Sequence, residues 1–288
     1  MNPIASTNGH GSGTRFYTGA KRSLDVFLSA CLMVVLPPLY CMVAVLLRWS
    51  GEGNVLFRQR RVGCKGREFT LFKFTTMATG SAANGDITLE DDPRVLPVGR
   101  WLSALKIDEL PQLWNTLRGE MSLVGPRPLT SRAFNCYSPR VREIVKSMKP
   151  GVTGVGSLVF RNEDRILAQA PGDPKEYYDN VIIPLKGQLE TWYFEHRSLH
   201  VDLLILALTL VAVPWPRSRL HLRLRGVADI VGHSPLAGYF GISPLANGSA
   251  RRRARPNLNP NVNATADADQ AQPEVSKRTR EPSPESVA

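Results

Sequence analysis

The chain has 288 residues, a net charge of +11 and an isoelectric point near 9.8. That length suits one large domain or two small ones, and the basic balance calls for an anionic partner: lipid headgroups, phosphorylated substrates or nucleic acid. Four cysteines (Cys31, Cys41, Cys64, Cys136) with no CxxC pair exclude a disulfide framework and argue against a zinc site.

Residues 1–20 are rich in Gly, Ser, Thr and Asn and read as a loose N-terminus. Residues 21–49 follow as a membrane segment. Leu24 to Leu47 is mostly apolar, flanked by Lys21, Arg22 and Arg48, and just long enough as one helix for a bilayer core of about 30 Å. Pro37 and Pro38 break it, because a proline inside a helix removes a hydrogen bond and clashes, at a cost of about 3 kcal/mol. The two arms, Leu24–Leu36 and Leu39–Leu47, are roughly 20 Å and 14 Å long at 1.5 Å per residue, too short to span singly. A kinked crossing helix and a re-entrant helix-break-helix both fit. Basic residues at both ends favour the re-entrant form with both ends cytoplasmic. Ser29 and protein contacts are candidates to serve the broken backbone, and Asp25 to pair with Arg22 or a later basic residue.

Val55–Arg61 and Glu68–Phe74 read as strands joined by a hairpin turn at Gly63–Gly66. Arg58, Arg60, Arg61, Lys65 and Arg67 make this hairpin basic enough to meet anionic lipid. Lys73 stands among aromatics as a phosphate contact or a snorkelling lysine. Gly80–Leu89 is a loop. Asp91-Asp92-Pro93-Arg94 is a turn whose acids could help hold a metal, and Val98–Lys106 is a short helix.

Leu110, Leu113, Trp114 and Leu117 then share one helical face, which places Asp108 and Glu109 at a helix start. In the structural reading Asp108 is an N-cap and Glu109 answers the helix dipole. In the chemical reading Asp108 is a nucleophile and Glu109 a metal ligand or base. In Gly125-Pro126-Arg127-Pro128, the prolines fix φ on both sides of Arg127. Its guanidinium is either a preset phosphate grip or part of a rigid turn. Arg140–Met148 reads as a basic helix. Pro150–Gly156 is a glycine-rich turn that could approach a ligand. Pro174–Glu195 is helical with an interruption at Pro184, and Val201–Val213 is an apolar helix too short to cross a bilayer. Trp215, with Trp192, Tyr193 and Phe194, suits either a membrane interface or burial. Residues 217–246 form an undefined connector. From Asn247 to Ala288 the composition is that of a disordered tail, in which Arg251–Arg253 could touch anionic lipid and is only a weak nucleic-acid signal.

Taken together, several motifs fall in a fixed order. They are Lys21-Arg22 with Asp25, the proline-broken segment, Phe57–Gly63, Lys73-Phe74, Asp92-Pro93-Arg94, Val98-Gly99-Arg100, Asp108–Gln112, Gly119–Pro128 and Lys149-Pro150-Gly151. In this the chain resembles the bacterial sugar transferases that act as monotopic polyprenyl-phosphate phosphoglycosyl transferases, over about residues 20–215. The resemblance implies an α+β, mostly helical fold, with the re-entrant segment and a compact catalytic domain at 50–216 on the cytoplasmic face of the inner membrane. It implies transfer of a phosphosugar from a UDP-sugar to polyprenyl phosphate with Mg²⁺ and release of UMP. Asp108 would be the nucleophile and Glu109 the metal ligand or base, with Asp92 a further candidate ligand and Asp91 and Glu120 alternatives. Arg127, Lys73, Lys106, Arg94 and Gln112 would contact phosphate or substrate. No specific nucleic acid is implied, and neither the sugar nor the oligomeric state can be read. Thr75 and Ser103 stand where the family often has arginines, and Glu163 and Asp164 are sugar contacts or surface acids. Competing readings are a UDP-releasing glycosyltransferase and a basic membrane-anchored scaffold.

Overall fold

The computed structural model describes residues 11–242 except 51–53, 79, 81–88, 90–91, 216–218, 220–221, 223 and 225, with backbone only for 11–14. The expected loop at 81–88, Asp91 and the expected tail from Asn247 lie outside the described residues. Helices α1 (Gly11–Val35) and α2 (Pro37–Trp49) lead into strands β1 (Leu56–Val62) and β2 (Glu68–Phe74). Then come α3 (Pro97–Ala104), α4 (Gln112–Arg118), β3 (Ser122–Val124), α5 (Ser131–Asn135), α6 (Pro139–Lys146) and β4 (Gly151–Thr153). The last elements are α7 (Val155–Val159), α8 (Glu163–Ala168), α9 (Pro174–Tyr177), α10 (Ile183–His196), α11 (Leu199–Ala212) and α12 (Val227–Gly232). The expected mostly helical α+β class is what the chain adopts.

The first helix starts ten residues earlier than composition suggests. Gly, Ser and Thr are weak helix formers, but tertiary contacts override propensity. The Tyr17 hydroxyl donates to Asp202 Oδ2 at 3.0 Å and Lys21 pairs with the same oxygen at 2.8 Å, which fastens α1 to α11. The break falls where the prolines require it. Leu36 ends one helix and Pro37-Pro38 open the next, where a missing N–H costs nothing. The bend is 62°. No single helix among the described residues is long and apolar enough to cross a bilayer, although the bent pair together passes that test by length and composition. Ser29 does not serve the break, since its hydroxyl is buried without a partner.

Two charged residues expected at the membrane boundary, Arg22 and Asp25, turn inward. Arg22 donates to the Thr116 and Leu117 carbonyls in the last turn of α4. Asp25 is buried and accepts the Leu123 N–H at 2.9 Å rather than pairing with Arg22. Replacing Asp25 with Ala would orphan that buried N–H. We expect a loss of about 1–3 kcal/mol, read as a lower melting temperature of the detergent-solubilised protein, with Asp25→Asn retaining most of the stability because its amide oxygen still accepts.

β1 and β2 pair antiparallel from Leu56↔Phe74 to Val62↔Glu68, as the hairpin signal predicts. β3 and β4 pair in parallel, Ser122↔Gly151 and Val124↔Thr153. The glycine-rich turn at 150–156 is therefore a strand and its exit. Its glycines permit close backbone contact: a Cβ on Gly151 would lie 2.2 Å from the Gly125 nitrogen, and one on Gly154 2.1 Å from the Gly125 oxygen. The interruption expected at Pro184 takes the form of a change of helix type, with Pro184 in the first turn of α10. A π-turn at Tyr178–Ile182 carries α9 into α10, the wider register suiting a proline that has no N–H to donate.

The main core gathers Val124, Leu129, Phe134, Val155, Leu158, Ile182, Leu189, Tyr193 and Ile205. The undefined connector contributes to it: Leu224, Val227, Val231, Leu236 and Phe240 are all buried there. Trp192 and Tyr193 are buried too, whereas Trp215 is exposed. A smaller cluster joins Val43 and Leu47 of α2 to Phe74 and Leu102, so α2 packs beside the strands and α3.

Candidate active site

Asp108 and Glu109 sit in a single 3-10 turn, Ile107–Glu109, between α3 and α4. Lys106 enters it in the left-handed conformation, φ 57°, one of two non-glycine residues with positive φ among the described residues. Such a conformation costs a non-glycine residue about 1 kcal/mol or more and tends to gather at functional sites. The Tyr40 hydroxyl donates to the Leu110 carbonyl at 3.1 Å, which ties α2 to the same turn. Neither the turn nor α4 has a side-chain cap, so the structural reading of Asp108 as an N-cap is not what the chain uses.

α4 reverses the face expected of it. Leu113 is buried, but Trp114 is 49% exposed, and the buried residues beside Leu113 are Gln112, Asn115 and Thr116. Asn115 accounts for the reversal. Its amide bonds the Thr70 carbonyl and the Phe72 N–H of β2, and also Glu120 at 2.7 Å. Glu120 is thereby engaged at the far end of the helix from the two acids.

Arg127 is delivered by a loop held from two sides. The Gly125 N–H donates to the Thr153 carbonyl and the Gly151 N–H to the Pro126 carbonyl. Arg61 donates to the Pro128 carbonyl, and the Val62 N–H to that of Leu129. The guanidinium then meets Glu109, Nη2 to Oε1, at 3.1 Å, with the Arg127 side chain 42% exposed. Arg127 thus reaches the dyad while keeping an open flank for a ligand.

The two acids differ in their surroundings. Burial and the adjacent Glu109 charge push Asp108 up to about 6, against the pull of Lys106, Lys73 and Arg127. Burial also pushes Glu109 upward, but Arg127, Lys106 and Lys73 outweigh it and hold Glu109 below the usual carboxylate range. Asp108 Oδ1 is buried with no hydrogen-bond partner. One carboxylate is thus paired and firmly ionised, and its neighbour is poorly solvated and unengaged. Poor solvation makes a carboxylate oxygen a stronger nucleophile, provided the group is ionised.

Of the expected contacts, Lys73, Lys106 and Arg127 share the electrostatic field of the two acids. Burial lowers the Lys73 ammonium from its ordinary value, and its Nζ lies 5.2 Å from the Phe57 ring centre. Gln112 is buried at the start of α4. Arg94 is joined instead to Asp92, whose two oxygens both accept from it at 2.6–3.1 Å. Asp92, the further candidate ligand, is therefore spoken for locally. No group of three or more His, Cys, Asp or Glu side chains among the described residues is placed to cage a metal. One or two carboxylates do suit a hard cation that takes its remaining ligands from water and phosphate.

Sequence reading missed Lys186 and Glu190. Both are buried on α10, four residues apart, at positions a periodic pattern assigns to the core. Glu163 is not a free surface acid. It accepts from Lys186 and adds to the negative field at Arg127.

A family model described as bacterial sugar transferase matches residues 16–215. The chain is 33% identical over 214 residues to the exopolysaccharide production protein ExoY of Sinorhizobium fredii, covering 67% of this chain and 85% of that protein. It is 37% identical over 204 residues to an undecaprenyl-phosphate glucose phosphotransferase of Komagataeibacter xylinus, covering 66% of this chain and 35% of that protein. It is 40% identical over 141 residues to a UDP-glucose:undecaprenyl-phosphate glucose-1-phosphate transferase of Caulobacter vibrioides, covering 48% and 53%.

Proposed function

The chain belongs to the bacterial sugar transferase family, and from that premise we propose that it moves a phosphosugar from a UDP-sugar to polyprenyl phosphate through a covalent bond to Asp108. The observation that carries the reading is the buried, unpartnered Asp108 oxygen beside the Glu109–Arg127 pair.

In the first step an Asp108 oxygen attacks the β-phosphorus of the donor. The bond from that phosphorus to the bridging oxygen breaks, and UMP leaves with the electron pair. In the second step an oxygen of polyprenyl phosphate attacks the same phosphorus. The aspartyl–phosphorus bond breaks, the carboxylate returns, and polyprenyl-diphosphate-sugar departs. Splitting the transfer lets one small site serve a soluble donor and a lipid acceptor in turn.

Arg127 binds phosphate oxygens through its open flank, two parallel N–H bonds being the strength of a guanidinium. Lys73 and Lys106 offset the remaining negative charge. Glu109 holds Arg127 in place and would hold Mg²⁺, with Asp108 as its neighbour. That ion, when bound, supplies charge neutralisation for the phosphates and the leaving nucleotide.

The bent pair α1 and α2 is read as a re-entrant membrane anchor at the cytoplasmic face. Its exposed Phe27, Val34, Val35 and Trp49 suit lipid, as do Trp101 and Trp114 near the two acids. The basic hairpin faces anionic headgroups in this reading. Single cysteines placed before Lys21 and after Arg48 are then expected to label from the cytoplasmic side only. Labelling from opposite sides would mean a crossing helix.

The functional test is nucleotide identity. The extracted protein is incubated with Mg²⁺, polyprenyl phosphate and a panel of UDP-sugars. UMP from one or a few donors is the expected result. UDP would point to ordinary glycosyl transfer, and no nucleotide from folded protein to a scaffold.

A further inference from the structure

Arg161 stands at the junction of α7 and α8, next to Phe160, which is buried in the main core. Its Nη2 donates to two backbone carbonyls from distant parts of the chain, that of Ala104 at 3.0 Å and that of Val213 at 2.9 Å. Ala104 is the last residue of α3, and Val213 is the C-cap of α11. One nitrogen thus joins the ends of two helices, where carbonyls run short of partners and a positive charge is favoured. Of the N–H groups that follow α3, Leu105 donates to Trp101, Lys106 to Ser103 and Glu109 to Lys106, so none of these serves the Ala104 carbonyl.

The Ala104 carbonyl comes just before the left-handed Lys106 and the turn with the two acids. A residue in such a conformation persists only where its surroundings hold it. The Tyr40 hydroxyl holds the far side of the turn, at the Leu110 carbonyl, and Arg161 holds the near side. The other helix that Arg161 grips is itself fixed: the hydroxyls of Thr209 and Thr153 lie 2.8 Å apart, which ties α11 to β4. β4 also holds the Arg127 loop, through the Thr153 carbonyl and the Gly151 N–H. A continuous run of bonds therefore leads from the Arg127 loop through β4 and α11 to Arg161, and from Arg161 to the end of α3. It is separate from the direct Glu109–Arg127 pair. Burial lowers the Arg161 guanidinium from its ordinary value, and both its carbonyl partners are neutral, so the contact is kept at a cost in hydration.

We propose that Arg161 is a positioning residue for the two acids: by joining the end of α3 to the end of α11, it sets where Asp108 stands relative to Arg127. This rests on the roles given to Asp108 and Arg127 above. Arg161 acts through the turn and not on the substrate.

The first test does not depend on turnover. Hydrogen exchange of the bonded amides of Leu105, Lys106 and Glu109 is compared among wild type, Arg161→Met and Arg161→Gln. Methionine keeps an unbranched apolar stem without a donor, and glutamine keeps a donor that ends short of both carbonyls. Exchange at the three amides is expected to rise about tenfold or more in both variants, with the amides of α10 staying within about threefold of wild type. Unchanged protection at the three amides overturns the proposal. A rise of equal size in α10 means general loosening and overturns it too. If Arg161→Met fails to fold, Arg161→Gln decides.

The second test separates geometry from folding. Each protein is mixed with Mg²⁺ and a UDP-sugar that wild type accepts, without polyprenyl phosphate, and the burst of UMP is followed. The amplitude counts intact sites, and the rate constant reports how well Asp108 is placed. Arg161→Gln is expected to lower the rate constant about tenfold and to keep the amplitude within about twofold. A smaller amplitude at the wild-type rate would make Arg161 a stability residue and overturn the proposal. A wild type that gives no burst from any donor overturns the proposed covalent route instead, and the exchange result then settles Arg161 by itself.

Discussion

Replacing Asp108 with Asn is expected to reduce turnover by about 10³-fold or more while leaving the protein folded and bound to membrane. The substitution is nearly isosteric, so the turn, the Glu109–Arg127 pair and α4 have no reason to move. What disappears is the anion that attacks phosphorus. Stability provides the control. The Asp108 carboxyl is pushed from its ordinary value up to about 6, chiefly by burial and next by the Glu109 charge. Its folded value lies above its unfolded one, so stability is greatest below the unfolded value and is lost as pH rises through about 6. Asparagine carries no such charge. The variant is therefore expected to melt at least as high as wild type at neutral pH, and any advantage should vanish at acid pH. A variant that is inactive because it has unfolded would melt lower at both. Substantial turnover by Asp108→Asn would rule out attack by this carboxylate.

The second large effect is expected at Arg127. Lysine there keeps the positive charge that holds Glu109 below the usual carboxylate range. It cannot offer two parallel N–H groups to a phosphate. Arg127→Lys is therefore expected to lower kcat/KM for UMP release by about 10²-fold, the range for losing one preorganised donor. Arg127→Ala should be worse, because it also leaves Glu109 buried without its partner. Comparing the two separates geometry from charge. If Lys performs within threefold of Arg, fork geometry plays no part and the guanidinium is only a counter-ion.

How far the site could be read in advance depended on the range of the signals. The hairpin, α3 and the proline break follow from turn residues and prolines a few positions apart, and they stand where those residues put them. The two acids and the Pro-Arg-Pro unit were visible as chemistry, although their meeting across 18 positions was not. The face of α4 misled, because periodicity assumes that the apolar stripe turns inward. Here Asn115 fits the backbone of β2 and carries the polar stripe into the protein, leaving Trp114 outside. The early start of α1 was hidden for a related reason. Gly and Ser there say loop, and only Asp202, far along the chain, says helix. Glu190 left no local trace, since Gly156, whose missing Cβ leaves room for its carboxyl, comes from another part of the fold.

The central claim is that the carboxylate of Asp108 becomes bonded to the donor's β-phosphorus. The direct measurement supplies the purified protein with Mg²⁺ and a UDP-sugar it accepts, withholds polyprenyl phosphate, and follows nucleotide and protein mass together. The account predicts a burst of up to about one UMP per protein and a phosphosugar mass on the peptide containing Asp108, lost when polyprenyl phosphate is added. UMP that forms only when the lipid acceptor is present, with the peptide unmodified, would contradict it and favour direct transfer between donor and acceptor.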